Sequence, residues 1–515
     1  MTTRDRTRAT THERLVALTL AFEVCYAFRM SLTGSLARNT GVQIAGKIVS
    51  TAFGVVIIGM MTRYLGTAGF GAYSTATAYL QIFALLLDLG LNVTFIAMLG
   101  EHADDEAYQK RCISALYTLR IVMAVAILFV FAPFVAIFLP YPLEVKLAIF
   151  ALTGSFVFPA INQIVIGVQQ KHLRMTATAV AENIGRVIMF GGIVLAQYYH
   201  AGLVPIMWTI SVAALANFGF NLYSTYSYGH FFWNWDPKFW ISTLKRSWPV
   251  GLTIAFGLIY YKADTFILSL VRSQSETGLY GAAYRVLEIL ISVPYMYAGV
   301  LLPVLAHVWA KRERERMSHL ITHSLEAMVL LIAPMVAGTI VLGTRIMTAV
   351  AGHDFVLSGT VIKILILAVA VIYLNTVIAH AIVAMDVQRK MIPVYAIVAI
   401  VTLAGYLWLI PIYGMWAAAW LTVFSEASVF VGAWVVTQRQ VRFGFPWKRT
   451  VSAFGASWVM ALCTWYVRDL WLPIPLVVAF ASYGASLYAF GGISKDTIKE
   501  LLAFRKHPTL EKSPL

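Results

Sequence analysis

Uninterrupted apolar stretches of about 17–25 residues recur along the whole chain, each ended by polar or basic punctuation. A helix of about 20 apolar residues matches the hydrocarbon thickness of a bilayer. Inside that layer every backbone N–H and C=O must find its partner within a helix or a closed barrel. The runs here do not alternate polar and apolar residues as barrel strands do, so the expected fold is all-α. Fourteen candidate spans start near residues 40, 69, 113, 144, 172, 203, 247, 277, 320, 356, 390, 414, 449 and 473. With 60% apolar and 12% charged residues, against about 25% charged in soluble domains, the chain is not a soluble protein. Its 3 cysteines are too few for a secreted disulfide framework.

Connections such as Leu139-Pro140-Tyr141-Pro142-Leu143 and Ile410-Pro411-Ile412-Tyr413-Gly414 are short. Consecutive spans therefore run antiparallel, side by side, with no sizeable extramembrane domain. The tails and even-numbered loops hold 28 Lys and Arg, whereas the odd-numbered loops hold 3, with two more near helix ends. Cytoplasmic loops carry the excess of Lys and Arg, so both termini are expected on the cytoplasmic side of the cytoplasmic membrane. That placement accounts for most of the net charge of +15 and leaves no need for a nucleic-acid partner. Residues 1–38 read as a cytoplasmic N-terminal extension, with an in-plane helix over 12–30 and no signal-peptide cleavage pattern. Residues 494–515 read as a cytoplasmic tail.

Residues 230–246 mix Trp233 and Trp235 with Lys238, Lys245 and Arg246, a composition suited to an interfacial linker. The chain repeats itself on either side of it. Gly71-Ala72-Tyr73-Ser74-Thr75-Ala76 opens span two, and Gly278-Leu279-Tyr280-Gly281-Ala282-Ala283 opens span eight. An even number of spans per repeat preserves orientation, which gives two six-helix lobes, residues 39–229 and 247–440, related about an axis along the membrane normal. Spans thirteen and fourteen, residues 441–493, stand outside the duplication.

Thr62-Arg63-Tyr64-Leu65-Gly66-Thr67-Ala68-Gly69-Phe70-Gly71-Ala72-Tyr73, followed by Leu87-Asp88-Leu89-Gly90-Leu91, resembles the opening of polysaccharide flippases. These translocate lipid-linked oligosaccharides and share a superfamily with lipid II flippases and multidrug and toxic compound extrusion transporters. Ala263-Asp264-Thr265-Phe266-Ile267-Leu268, Leu302-Pro303-Val304-Leu305 and Gly352-His353-Asp354-Phe355 extend the resemblance over about residues 39–440. It implies a fourteen-helix exporter whose partners are a lipid-linked oligosaccharide and membrane lipid, with polysaccharide polymerase or export machinery as a further partner class.

An ionisable side chain inside a membrane is costly unless paired or hydrated, and so marks function. As candidate contacts for an anionic head group the sequence offers Lys47, Arg186, Lys262, Arg285 and Lys363, with Lys47 and Arg186 foremost. Asp88, Glu182, Asp264, Glu288 and Glu426 are candidate pairing or coupling carboxylates, the coupling ion being a proton or Na⁺. Glu182 and Arg186 are four residues apart, and Arg285 and Glu288 three, so each pair could neutralise itself on one helix face. Lys262 and Asp264 lie about 200° apart around a helix and need partners from other spans. Arg120 and Glu326, at similar depths in the two halves, are expected to snorkel or pair across the lobes. Asn39, Gln43, Asn92, Asn162, Gln163, Asn183, Asn217, Asn221 and Asn375 are candidate partners for sugar hydroxyls or for helix packing.

The chemistry implied is recognition without bond-making, and no cofactor or metal site is expected. His319, His323 and Glu326 have helical ligand spacing but sit beside a strongly basic loop. No Walker A, HExxH or nucleophile elbow occurs. A membrane glycosyltransferase or polymerase would need larger outer loops. An organic-cation exporter would favour an acidic cavity, and a lipid II flippase differs only in the head group it carries.

Overall fold

A computed structural model describes residues 46, 49–88, 90–102, 104–172 and 174–491, without the side chains of residues 249, 250 and 252–261. The N-terminal extension, its expected in-plane helix, Asn39, Gln43, Lys47 and the C-terminal tail lie outside the described residues. Among those described, there are no strands and the chain forms long helices separated by short turns. We number the crossings α1 (residues 49–65), α2 (residues 67–88 and Leu91–Glu101), α3 (Glu106–Phe138), α4 (Leu143–Lys171) and α5 (Thr176–Tyr198), then α6 (Leu203–Gly229) and α7 (Pro237–Val271). The second half continues with α8 (Gln274–Ala310), α9 (Arg314–Ala351), α10 (His353–Ala384), α11 (Gln388–Tyr413), α12 (Met415–Gln438), α13 (Trp447–Tyr466) and α14 (Pro473–Ala489).

Among the described residues, ten runs are long and apolar enough to cross a bilayer, the first being Val49–Glu101. That run is two crossings. Gly66 adopts φ +65, a left-handed conformation that glycine takes without steric cost, and the chain reverses there. Gly46 lies against Ala179 near the start of α5, Arg63 bonds the Ala349 carbonyl near the end of α9, and Glu101 returns to meet Arg246. With α7, α13 and α14, fourteen crossings result. This is a multi-pass membrane protein. Its apolar exterior, including Phe138, Ile397, Trp408 and Phe480, suits contact with lipid tails.

The alternation divides the molecule into two ends. At one, called here the basic end, even-numbered connections touch each other: Arg246 pairs with Glu101, Arg111 with Asp236, and Ser318 donates to the Arg442 carbonyl. The other end gathers the odd-numbered connections. Residues 237–246 form the first turns of the 35-residue α7, capped by Asp236, which accepts from the Phe239 N–H at 3.1 Å. Trp240 anchors those turns on the N-lobe by donating to the Ala115 carbonyl at 2.8 Å. The linker is thereby tied to α3, with Trp233 and Trp235 left exposed. Arg111 holds the Asp236 carboxyl below the usual carboxylate range.

One buried apolar core runs through both lobes, from Ile57 and Phe70 to Leu305 and Val429. Smaller clusters join α2, α3 and α4 to the start of α7, and α9 to α13. The repeated stretches meet each other at the end opposite the basic one. A Cβ on Gly71 would overlap the Gln274 carbonyl oxygen, and a Cβ on Gly278 would overlap the Thr67 carbonyl oxygen. Each helix start rests on the other, backbone on backbone. Phe70 against Phe355 at 6.0 Å, and Ser358 donating to the Leu279 carbonyl, pack the same region.

Candidate functional site

Between the lobes, α1, α5 and α8 enclose a cleft with a cavity volume of about 220 Å³. Its charged lining is Arg186 from one lobe with Arg285 and Glu288 from the other, two guanidiniums against one carboxylate. Arg285 Nη1 donates to Glu288 Oε2 at 2.8 Å, and its Nη2 donates to the Tyr73 hydroxyl at 2.9 Å, across the lobe boundary. Lys262, nearly buried on α7, donates to the other Glu288 oxygen and lies 4.3 Å from the centre of the Tyr284 ring. Glu288 thus serves two cations from two helices, and Arg285 lines the cleft. A guanidinium has five N–H donors in a fixed fork, suited to phosphate oxygens.

On the N-lobe side, Ser50 on α1 joins the expected Glu182–Arg186 pair: its hydroxyl donates to Glu182 Oε1 at 2.7 Å and accepts from Arg186 Nε at 3.1 Å. A second cavity, of about 390 Å³, opens from here between α4, α5 and α6, and Arg186 and Met189 line both spaces.

The remaining candidates fall elsewhere. Asp88 pairs with Arg120 at 2.9 Å, and Arg120 also donates to the Leu87 carbonyl. The expected snorkelling or cross-lobe pairing of Arg120 and Glu326 is therefore wrong: Arg120 is buried within its own lobe, because the turn at Gly90 presents a carboxylate and a free carbonyl beside it. Glu326 instead bonds His323 at 2.9 Å. Asp264 is fully buried, accepting from the Thr265 N–H, the Tyr280 hydroxyl and, at 3.2 Å, the Thr422 hydroxyl. It closes the C-lobe core and does not line the cleft. Glu426 is 5% exposed on α12. Lys363, half-buried on α10, lies near Gly343 of α9 and away from the cleft. No group of three or more His, Cys, Asp or Glu is placed to hold a metal among the described residues.

Ser50, Tyr73 and Tyr284 join the site without having been candidates on sequence. Tyr73 alone carries a signal there, since it stands inside the repeated stretch.

A sequence model of the family described as polysaccharide biosynthesis protein matches residues 36–309. The probable flippase AglR of Haloferax volcanii is 21% identical over 489 residues, covering 91% of this chain and 98% of that protein. The probable low-salt glycan biosynthesis flippase Agl15 of the same organism is 24% identical over 333 residues, covering 64% of this chain and 68% of that one. Among solved structures, the lipid II flippase MurJ in an inward closed conformation matches with a TM-score of 0.73 and 14% identity, over 87% of this chain and 98% of that chain. An inward-facing multidrug resistance MATE family transporter matches with a TM-score of 0.65 and 12% identity, over 78% and 98%. At those identities the structural likeness establishes the fold: twelve helices in two pseudo-symmetric lobes with two more at the C-terminus.

Proposed function

The chain belongs to the polysaccharide biosynthesis protein family, and on that premise we propose that it is a flippase moving a lipid-linked, polyprenyl-diphosphate oligosaccharide across the cytoplasmic membrane. The observation that carries this reading is the cleft lined by Arg186 and Arg285 from opposite lobes together with one carboxylate, Glu288. A diphosphate cannot enter hydrocarbon unaided. Guanidiniums in a polar cleft replace part of its hydration with charge-assisted hydrogen bonds, while the polyprenyl tail stays in lipid. No bond is made or broken, so the protein acts as a carrier and not as an enzyme.

The basic end faces the cytoplasm in this reading, with both termini there, because the Lys and Arg excess collects at that end. The conformation is then sealed on the outer side by the Gly71 and Gly278 contact. Rocking the lobes about the cleft would part that contact and close the basic end, which is alternating access. Arg285, bonded to both Glu288 and Tyr73, must release Tyr73 for the lobes to separate. Proton or Na⁺ coupling falls to Glu426, since Asp88, Glu182, Asp264 and Glu288 are already held by partners. The product emerges where a polysaccharide polymerase or export machinery would take it up.

Reconstitution in proteoliposomes tests the reading: a labelled polyprenyl-diphosphate oligosaccharide becomes accessible to an enzyme outside only when the protein is present. Arg186→Ala, Arg285→Ala and Lys47→Ala abolish the transfer. Export of an organic cation without lipid transfer would move the chain to a drug-transporting role.

A further inference from the structure

The N-lobe cavity is larger than the cleft, about 390 against 220 Å³, and its lining is of a different kind. Thr178, Glu182, Gly185, Arg186 and Met189 form one stripe along α5, which carries the space from the cleft into the N-lobe. Facing that stripe is a chain of side-chain amides. Asn162 Nδ2 donates to Asn217 Oδ1 at 3.0 Å, Asn221 Nδ2 donates to the same oxygen at 3.2 Å, and Gln169 Nε2 donates to Asn221 Oδ1 at 3.1 Å. Gln169 also donates to the Thr225 hydroxyl and accepts from Thr178.

The chain is incomplete at its cavity end. Asn162 is 4% exposed, and its Oδ1 is buried without a hydrogen-bond donor. Asn217 accepts twice through Oδ1, while its Nδ2 has no acceptor among the described residues. Two adjacent amides thus present one free acceptor and one free donor, the pair that a hydroxyl group, donor and acceptor at once, satisfies. Pro159, Met189 and Ile210 add apolar surface against which the C–H face of a pyranose ring can lie. Deeper in the lobe Gln169, Asn221 and Thr225 complete each other.

We propose that this cavity is a sugar subsite: Asn162 and Asn217 bind hydroxyls of the hexose next to the diphosphate, with Arg186 at the mouth holding the phosphate. The inference rests on the flippase reading above and adds to it where the sugar lies and which residues read it. Because Arg186 belongs to both spaces, the sugar and the phosphate are held at once with the carrier lipid directed out through the cleft.

The test measures binding of two probes to the purified full-length protein: undecaprenyl diphosphate bearing one hexose, and bare undecaprenyl diphosphate. Asn162→Leu and Asn217→Leu are expected to weaken the hexose-bearing probe about tenfold, the scale of one lost polar contact, and to leave the bare probe unchanged. Unchanged bare-probe binding also shows that the variants fold. Asn217→Ser, which keeps a hydroxyl, falls between. The subsite is refuted if wild type binds the two probes equally, if neither variant alters hexose-bearing binding, or if both probes weaken together. Arg186→Ala is expected to weaken both probes. If it weakens neither, or wild type binds neither, the failure lies in the anionic-head reading itself and is recognised as such.

Discussion

Tyr73 and Tyr280 occupy the same place in the two halves, 207 residues apart, and their hydroxyls do opposite work. Tyr73 accepts from Arg285 at the cleft, whereas Tyr280 donates to Asp264 in a sealed core with Thr422 beside it. The same offset sets Lys262 against Val55, Asp264 against Ile57, Arg285 against Ala78 and Glu288 against Gln81. The halves have kept their shape where helix starts touch and have lost their likeness where charge sits. One lobe contributes a dense ionic cluster, the other Arg186, joined through Ser50 to Glu182, and a row of amides. Geometry is shared because each half must fit the other, while chemistry is free to differ because a substrate has two unlike ends.

The strongest way to break this comparison is at the shared contact. Gly71→Val and Gly278→Val place side-chain atoms where backbone oxygens already stand, so each is expected to reduce transfer by about tenfold or more and to expose cysteines introduced near Thr67 to a membrane-impermeant reagent. Equal effects confirm that the repeat is maintained by contact, and tolerance of either substitution would contradict it. The two tyrosines come next. Tyr280→Phe leaves the buried Asp264 Oδ2 with only the Thr422 hydroxyl and should cost about 1–3 kcal/mol, read as a lowered unfolding midpoint in detergent. Tyr73→Phe removes one acceptor from a guanidinium that has other partners and should cost about 1 kcal/mol or less, while altering transfer kinetics.

Glu288→Gln sharpens the charge side of the comparison. Lys262 and Arg285 lose their common counter-ion, so inorganic diphosphate should bind a few-fold more tightly, about 3–10-fold, at the expense of thermal stability. Gln81→Leu, the equivalent change in the other half, should leave diphosphate binding alone. The smallest effect concerns the join between the halves. The Asp236 carboxyl is held below its usual range mainly by Arg111, so its contribution is present above the unfolded value near 4 and is lost as pH falls through the lower folded value. Hydrogen-exchange protection factors over residues 230–246 should stay flat from pH 7 to 5 and fall only in strong acid, whereas Asp236→Asn should show no such step.

Fourteen crossings, the basic asymmetry between loops and the 207-residue offset are all legible in the sequence, because each depends on local composition or spacing. So is the Arg285–Glu288 pair, which lies on one helix face. What is not legible is which charges share a counter-ion. Glu288 draws Lys262 from a neighbouring helix, and Arg120 finds Asp88 where a glycine turn brings it round, outcomes set by tertiary packing. Ser50 gives no sign of bridging Glu182 and Arg186, since a serine in an apolar run most often bonds its own helix. Residues 230–246 read as an interfacial linker because their charged and aromatic residues suit an interface, and from residue 237 they also form helix, which Asp236 caps.

The reciprocal seating of Gly71 on Gln274 and Gly278 on Thr67 is the signature of a two-fold symmetric dimer interface, in which residue i meets j and j meets i. In a true homodimer every substitution appears twice and any charge faces its own copy. Covalent joining of the halves through the Asp236-capped connection lifts that restriction. A single mutation can then place a cation on one side of the dyad and leave the other side neutral, which is the condition for a binding cleft with distinct ends.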